Sequence, residues 1–461
     1  MLERMLARAR RPVDSASLAV FRIIFGAIGV WEVGRYFHHG WISAYWEDPT
    51  FHFNYVGFGW VEPLPAPGMQ ILWAVLGIAA FAIAIGAYYR VATVVFALGF
   101  GYSFLLETAM YLNHFYFLEL LAILLVFVPA HRVWSFDAWR SGWPSDRPSP
   151  AWAVWALRFQ VGVLYVGGGI AKLESDWLQG QPMSMWLANR THFPLIGGWF
   201  DHPWAGLIAA WSGLLFDLFI VFAVAWRRTR FLALVAALVF HFTNSQLFSI
   251  GIFPFLALAC LTLFCEPDWP RAFVRMLEGR RWKPTTFEAP PALAGRAKSL
   301  ATAGLVLGLV FAAVQILVPL RHFAMPGRST WTEAGHTFSW HMKQRDKEGY
   351  IAFTLSRPGE PDEYVVPLEH LPKWQYDSMK TRPELIRQYA HHLAELAVER
   401  EPTKPRPAVH VVAMVSLNGR QPQPMIDERV DLAAEPATLG TPSWVVPLRD
   451  PLPPRDEVYE P

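Results

Sequence analysis

Nine runs of mainly apolar residues divide the first 320 positions of the chain, at 18–37, 70–88, 91–109, 114–130, 153–172, 204–226, 230–247, 249–264 and 299–320. Each approaches the roughly 20 residues an α-helix needs to cross a hydrocarbon core, so each predicts a transmembrane helix. A tight bend at Ser249-Ile250-Gly251 separates two of them. Beyond residue 320 the sequence becomes charged and proline-rich. Residues 349–355 and 408–417 alternate with the period of strands, and Asn418-Gly419 between extended stretches is a hairpin signal. One amphipathic helix is expected over 383–400, where Leu385, Tyr389, Leu393 and Leu396 recur on one face. The expected fold is a polytopic α-helical membrane protein of about nine transmembrane helices with a C-terminal, mainly β extracytoplasmic domain. The expected division is 1–320 in the membrane and 321–461 outside it.

Composition agrees with a membrane protein, because 53% hydrophobic and 17% charged residues, with 22 Trp and 33 Phe, are too apolar for a soluble chain. A net charge of +2 without any Lys/Arg block argues against a nucleic-acid partner. Cys260 and Cys265 lack metal-ligand spacing and are expected as small buried hydrophobes, so no metal site is expected. Arg4, Arg8, Arg10 and Arg11 precede the first apolar run, which no cleavage site follows, so this segment is expected to be retained.

Basic side chains are held on the cytoplasmic side. They gather around Arg132, Arg140 and Arg147, around Arg227, Arg228 and Arg230, and between Arg271 and Lys298. Residues 38–69 contain none, and residues 173–203 contain only Arg190. This pattern puts the N-terminus in the cytoplasm and everything after residue 320 outside. Frequent Ala, Arg and Pro favour a bacterial inner membrane. The membrane part shows neither an internal repeat nor matched broken spans, which disfavours a transporter.

Polar side chains inside spans are costly and tend to face a functional cavity or one another. Asn113 and His114 open the fourth run, Lys172 ends the fifth, and His241, Asn244, Ser245 and Gln246 lie in the outer half of the seventh. Three spans thus deliver polar groups to one leaflet, beneath the outer domain. Taken singly, each has a plainer explanation. A lone His or Asn in a span is more often an interhelical hydrogen-bonding residue than a catalyst, and a lone boundary lysine more often snorkels than acts as a base. Arg158, 14 residues before Lys172 and so about 21 Å away along a helix, reads as an inner-side snorkeller. Glu32 and Arg35 are spaced to pair on one helix face. Glu107, Glu119 and Asp217 read as satisfied carboxylates or cavity linings. The aromatics Trp41, Trp46, Phe51, Phe53, Tyr55, Phe58 and Trp60 read as an interface belt or the lining of an entrance for an apolar ligand.

Several stretches resemble a known family. They are Leu112-Asn113-His114, Arg132-Val133-Trp134-Ser135-Phe136-Asp137, Leu157-Arg158-Phe159-Gln160, the segment from Ala171 through Lys172 to Trp177, and that from Asn244 to Gly251. Ser339-Trp340-His341-Met342 and the segment from Thr441 to Leu448 extend the likeness beyond the membrane part. In order and spacing the chain resembles the vitamin K-dependent gamma-glutamyl carboxylases, within the wider group sharing the horizontally transferred transmembrane domain.

The resemblance implies that Lys172 is the base that deprotonates a reduced quinone and that His114 and Asn113 belong to the same catalytic centre. His241, Asn244 and Gln246 are then expected to bind the cofactor, reduced vitamin K in the form of phylloquinol or menaquinol, with O2 and CO2 as co-substrates. Oxidation of the quinol to its epoxide is implied to drive removal of a glutamate γ-proton, after which the carbon takes up CO2. Side-chain bases are too weak for that step alone, which is why a cofactor must supply the driving force. The implied partners are a glutamate-containing peptide or protein, the lipid bilayer and a quinone-reducing enzyme. Animal members carry a longer outer region that docks a propeptide, whereas this chain ends thirteen residues after Leu448. The alternatives are a quinol epoxidase or oxygenase without carboxylation, and a non-catalytic membrane scaffold of the same fold.

Overall fold

The structure is a computed structural model that describes residues 2–288 and 290–453. Of the expected N-terminal segment and outer domain, Met1 and residues 454–461 lie outside the described residues. A short helix α1 (Leu2–Arg10) leads into α2 (Ala16–His38), α3 (Gly68–Ile85), α4 (Tyr89–Leu105), α5 (Asn113–Phe127) and α6 (Ala151–Ala171). There follow α7 (Ala205–Ala225), α8 (Arg230–Leu247), α9 (Phe253–Thr262), the short α10 (Trp269–Leu277) and α11 (Gly295–Leu320). Every apolar run therefore contains a helix. Among the described residues, five of these helices (α2, α3, α6, α7 and α11) are long and apolar enough to cross a membrane. Helices α4, α5 and α9 are apolar but shorter, at 17, 15 and 10 residues, because turns take up part of each run.

Two arginines, Arg22 buried and Arg158 partly so, close the end of the bundle away from the sheet. Arg22 is fully buried and donates to the carbonyls of Ile83 and Ala84 at the end of α3 (2.8 and 2.7 Å). It also donates to those of Ala130 and Trp134 (3.2 and 2.5 Å). Carbonyls left over at a helix end need such donors. Arg158, near the start of α6, does the same for Leu263 and Cys265 after α9 (2.7 and 2.9 Å). The snorkelling expected of Arg158 is thus replaced by capping, since its guanidinium finds unpaired carbonyls within the protein. Glu32 and Arg35 pair as expected, at 2.7 Å. Cys260 is buried and Cys265 partly so, and both are free.

The C-terminal region holds a four-stranded antiparallel sheet, β1 (Lys347–Ser356), β2 (Glu363–Val365), β3 (Ala408–Leu417) and β4 (Gln423–Pro424), in the order β2-β1-β3-β4. Alternation buries Ile351, Phe353 and Leu355 from β1 with Val409, Val411, Ala413 and Val415 from β3. Helix α12 (Pro383–Arg400) covers that face with Leu385, Tyr389 and Leu393, as its periodicity predicts. Asn418 and Gly419 both take positive φ (52° and 81°), the geometry that a two-residue hairpin turn requires.

Two joints attach the sheet to the helices. Phe53 is buried in the core of the sheet region, and the carboxylate of Glu107 accepts from Gln375 Nε2 at 2.9 Å. Asp176, four residues after Lys172, is clamped by Arg420 through two bonds of 2.6 and 2.8 Å and by Asn418 Nδ2 at 3.0 Å. Burial alone would raise the Asp176 carboxyl, but Arg420 outweighs it and holds the group below the usual carboxylate range. The aromatic stretch from Trp41 to Trp60 is not a uniform belt. Trp46, Phe53 and Tyr55 are buried, Tyr55 and Phe58 line a cavity, and Trp60 is exposed.

Candidate functional site

The run Gly167-Gly168-Gly169 explains how the site is assembled. A Cβ at Gly167 would lie 2.6 Å from the Trp340 ring, one at Gly168 2.9 Å from Met342 Cε, and one at Gly169 2.7 Å from Leu218. Without side chains there, the outer segment Trp340–Met342 and helix α7 both press against the last turn of α6. Lys172 follows that turn directly.

Lys172 is 5% exposed. Its Nζ donates to Asp217 Oδ2 of α7 at 2.7 Å and to the Gly168 carbonyl at 3.2 Å, and it stands 5.3 Å from the Trp177 ring. This lysine does not snorkel. A buried charge is tolerable only with a hydrogen-bonded partner, and Asp217, buried to the same degree, provides it.

The pair lines a cavity of about 780 Å³ that also reaches His114, Asn113, His241 and Asn244. Five of the six expected site residues therefore share one space. His114 sits at the start of α5 beside the Gly251 turn, where a Cβ would lie 3.6 Å from its Nε2 and 3.5 Å from Arg35 Nη1. Asn113 donates through Nδ2 to the His341 carbonyl (2.9 Å) and accepts at Oδ1 from Tyr111 Oη (3.0 Å), so its amide holds the outer segment in place. His241 Nε2 is hydrogen-bonded to Tyr165 Oη at 2.7 Å. Gln246 is exposed, bonds to Ser245 at 3.2 Å and is outside the lining. The helical period separates it: three residues keep His241 and Asn244 on one face, whereas five residues turn Gln246 away.

Sequence reasoning left Tyr165 and His341 unassigned and gave Asp217 no partner. Asp217 is the single charged residue of the run 204–226, which was a signal that it needs a buried cation. Tyr165 precedes Lys172 by seven residues, two helical turns, and so shares its face.

The cavity is also lined by a cationic, histidine-rich segment that precedes the sheet. Glu333 accepts from Arg345 (2.9 Å) and Lys347 (3.1 Å), and Arg345 also contacts the His336 ring. Burial pushes the Lys347 ammonium down to about 8 against the pull of Glu333, and pushes Arg345 down to about 10. Burial, reinforced by nearby cations, holds His336 and His341 well below the ordinary histidine value. No group of metal-ligating side chains occurs among the described residues.

No solved structure matches the chain. Residues 10–269 match the family model described as the HTTM domain, and residues 300–451 match that described as the vitamin K-dependent gamma-carboxylase, lumenal domain. The first match alone spans more than half of the chain, and the second covers the sheet, its helix and the histidine-rich segment. The chain belongs to the vitamin K-dependent gamma-carboxylase family.

Proposed function

We propose that this chain is an integral membrane carboxylase that couples oxidation of reduced vitamin K by O2, to the epoxide, with γ-carboxylation of peptide glutamate by CO2. The observation that carries this reading is the buried Lys172–Asp217 pair, set in a cavity running from His114 and His241 to the histidine-rich outer segment. The cavity suits a naphthoquinol: Phe240, Phe248, Phe253 and Trp177 give it apolar walls, and a few polar groups are placed among them. His241, steadied by Tyr165, and Asn244 would hold the cofactor. When bound and oxidised, the quinol supplies the driving force for removing the glutamate γ-proton.

The roles of the chain's own residues follow from their contacts. In its neutral amine form Lys172 takes the quinol hydroxyl proton on Nζ, and Asp217 stabilises the ammonium that results, the paired state described above. His114 shares the catalytic cavity. Asn113 acts by fixing the segment that roofs it. The buried walls keep water from the glutamate carbon before CO2 adds.

Nine membrane helices with a cytoplasmic N-terminus, a membrane domain 1–320 and an extracytoplasmic domain 321–461 that receives the peptide complete the proposal. The distribution of basic residues supports that orientation. A bacterial inner membrane and a quinone-reducing partner enzyme belong to the same reading. The test is to incubate the purified chain in lipid with reduced naphthoquinone, bicarbonate and a glutamate peptide. Epoxide together with fixed CO2 is expected. Neither product would overturn the reading, and epoxide alone would make the protein a quinol epoxidase.

A further inference from the structure

Each turnover of the proposed reaction leaves a proton on Lys172 Nζ, and that proton must leave before the next quinol arrives. Lys172 and Asp217 are both buried, and a titratable group on the wall of the cavity they line would give that proton a route out. His341 lines the same cavity, is 5% exposed, and has no hydrogen-bond partner on either ring nitrogen among the described residues. An unsatisfied buried imidazole is costly and calls for an explanation. Its position is fixed: Asn113 holds its carbonyl, while Trp340 and Met342 on either side pack on Gly167 and Gly168. Gly168 is also the residue whose carbonyl binds Lys172.

Two further histidines stand against His341, with ring centroids 4.6 Å away for His322 and 4.7 Å for His336. They are not equivalent. His336 contacts Arg345, a cation that opposes a second positive charge, and its other nitrogen faces Glu333 at 3.7 Å. His322 Nδ1 bonds to the Pro319 carbonyl at 2.7 Å, so Nδ1 carries the hydrogen and Nε2 keeps a free lone pair. His322 is also the more exposed of the two.

We propose that His341 is the proton acceptor for Lys172 and passes the proton through His322 to solvent. It is a positioning residue that acts through Lys172, and the inference rests on the quinol-oxidising reading above. In the first step an N–H bond of the Lys172 ammonium breaks and one forms at a His341 ring nitrogen, leaving the neutral amine. In the second, an N–H bond of the His341 imidazolium breaks as one forms at His322 Nε2, and the Nε2 proton then passes to water, which leaves the Nδ1–H on the Pro319 carbonyl and restores the starting tautomer. Only protons move, so no oxidant is needed. The charged groups around His341 are Lys172, Arg321 and Arg345, with His322 and His336. Burial first, and then their positive field, keeps the ring neutral, so it takes up a proton only in passing.

The test uses the full chain in lipid bilayers, with His341→Gln and His341→Asn, which keep a polar group but no titrating ring. Epoxide formation should fall on the order of a hundredfold, with quinol affinity unchanged and turnover restored by added imidazole. Wild-type turnover in both folded variants, or a loss that imidazole does not restore, would overturn the proposal. A second readout needs no turnover: the ¹⁵N resonances of His341 should titrate at higher pH in Lys172→Met, because a neighbouring cation has gone. An unchanged midpoint would sink the relay even in an active enzyme. If wild-type protein forms no epoxide, the quinol-oxidising reading fails, whereas the resonances still decide whether the two side chains are coupled.

Discussion

Arg22 and Lys172 are both cations buried in the helical part, yet their surroundings differ in kind. Arg22 spends its hydrogen-bonding capacity on four backbone carbonyls and does not line the cavity that Lys172 faces. Lys172 has one carbonyl, one carboxylate and an open cavity beside it. In the first arrangement the donors are committed to carbonyls that cannot take a proton from a guanidinium. The second couples an exchangeable proton to a space where a ligand fits. Burial of a charge therefore says little about its work; the partners and the adjoining space decide.

The contrast can be broken most directly at Lys172. Replacement by Ala should lower quinol oxidation on the order of a thousandfold, as expected when a general base is lost. The fold should survive, and small amines should restore part of the rate, both checked on the purified variant. Arg22→Met should do the reverse. Four carbonyls lose a charged donor, so unfolding should become easier by roughly 3 kcal/mol or more, while quinol oxidation per folded molecule stays the same. Thermal unfolding beside a turnover assay separates the two outcomes.

Asp217→Asn sharpens the comparison from the other partner. The shape is kept but the charge that stabilises the lysine ammonium is lost, and turnover should fall about tenfold to a hundredfold. A third buried cation, Lys347, tests whether a charge in the outer sheet belongs with Arg22. Its folded value near 8 lies below the unfolded value of about 10.4. The unfolded chain therefore binds more protons between those values, and stability should rise with pH across that window. Lys347→Met should flatten the rise seen in chemical denaturation, without changing turnover at neutral pH. The smallest effect is expected for Gln246→Ala, within twofold of wild type in quinol affinity, because the side chain faces away from the cavity.

Periodicity made much of the architecture legible. Helix Pro383–Arg400 occupies the span that Leu385, Tyr389 and Leu393 mark out, and the Asn418-Gly419 pair turns where its left-handed geometry is needed. His241 and Asn244 share a face because three residues nearly complete a helical turn. What periodicity lacks is any record of which helix stands opposite which. Asp217 could be recognised as a costly charge, but its pairing with Lys172 depends on α7 lying against α6 through three glycines. Gln246 was grouped with its sequence neighbours although helical rotation separates them. Whether an aromatic of 41–60 belongs to a belt, an entrance or a core depends on partners that periodicity does not record, such as the sheet core around Phe53, hundreds of residues away in the chain.

The hairpin tip at Asn418 and Arg420 grips Asp176, and Gln375 grips Glu107 on a different element. Movement of the sheet relative to the helices must therefore strain one or both of these anchors. Force applied to the sheet would load the Asp176 anchor, which lies four residues after Lys172. The mounting of the sheet is in that sense also a lever on the floor of the cavity.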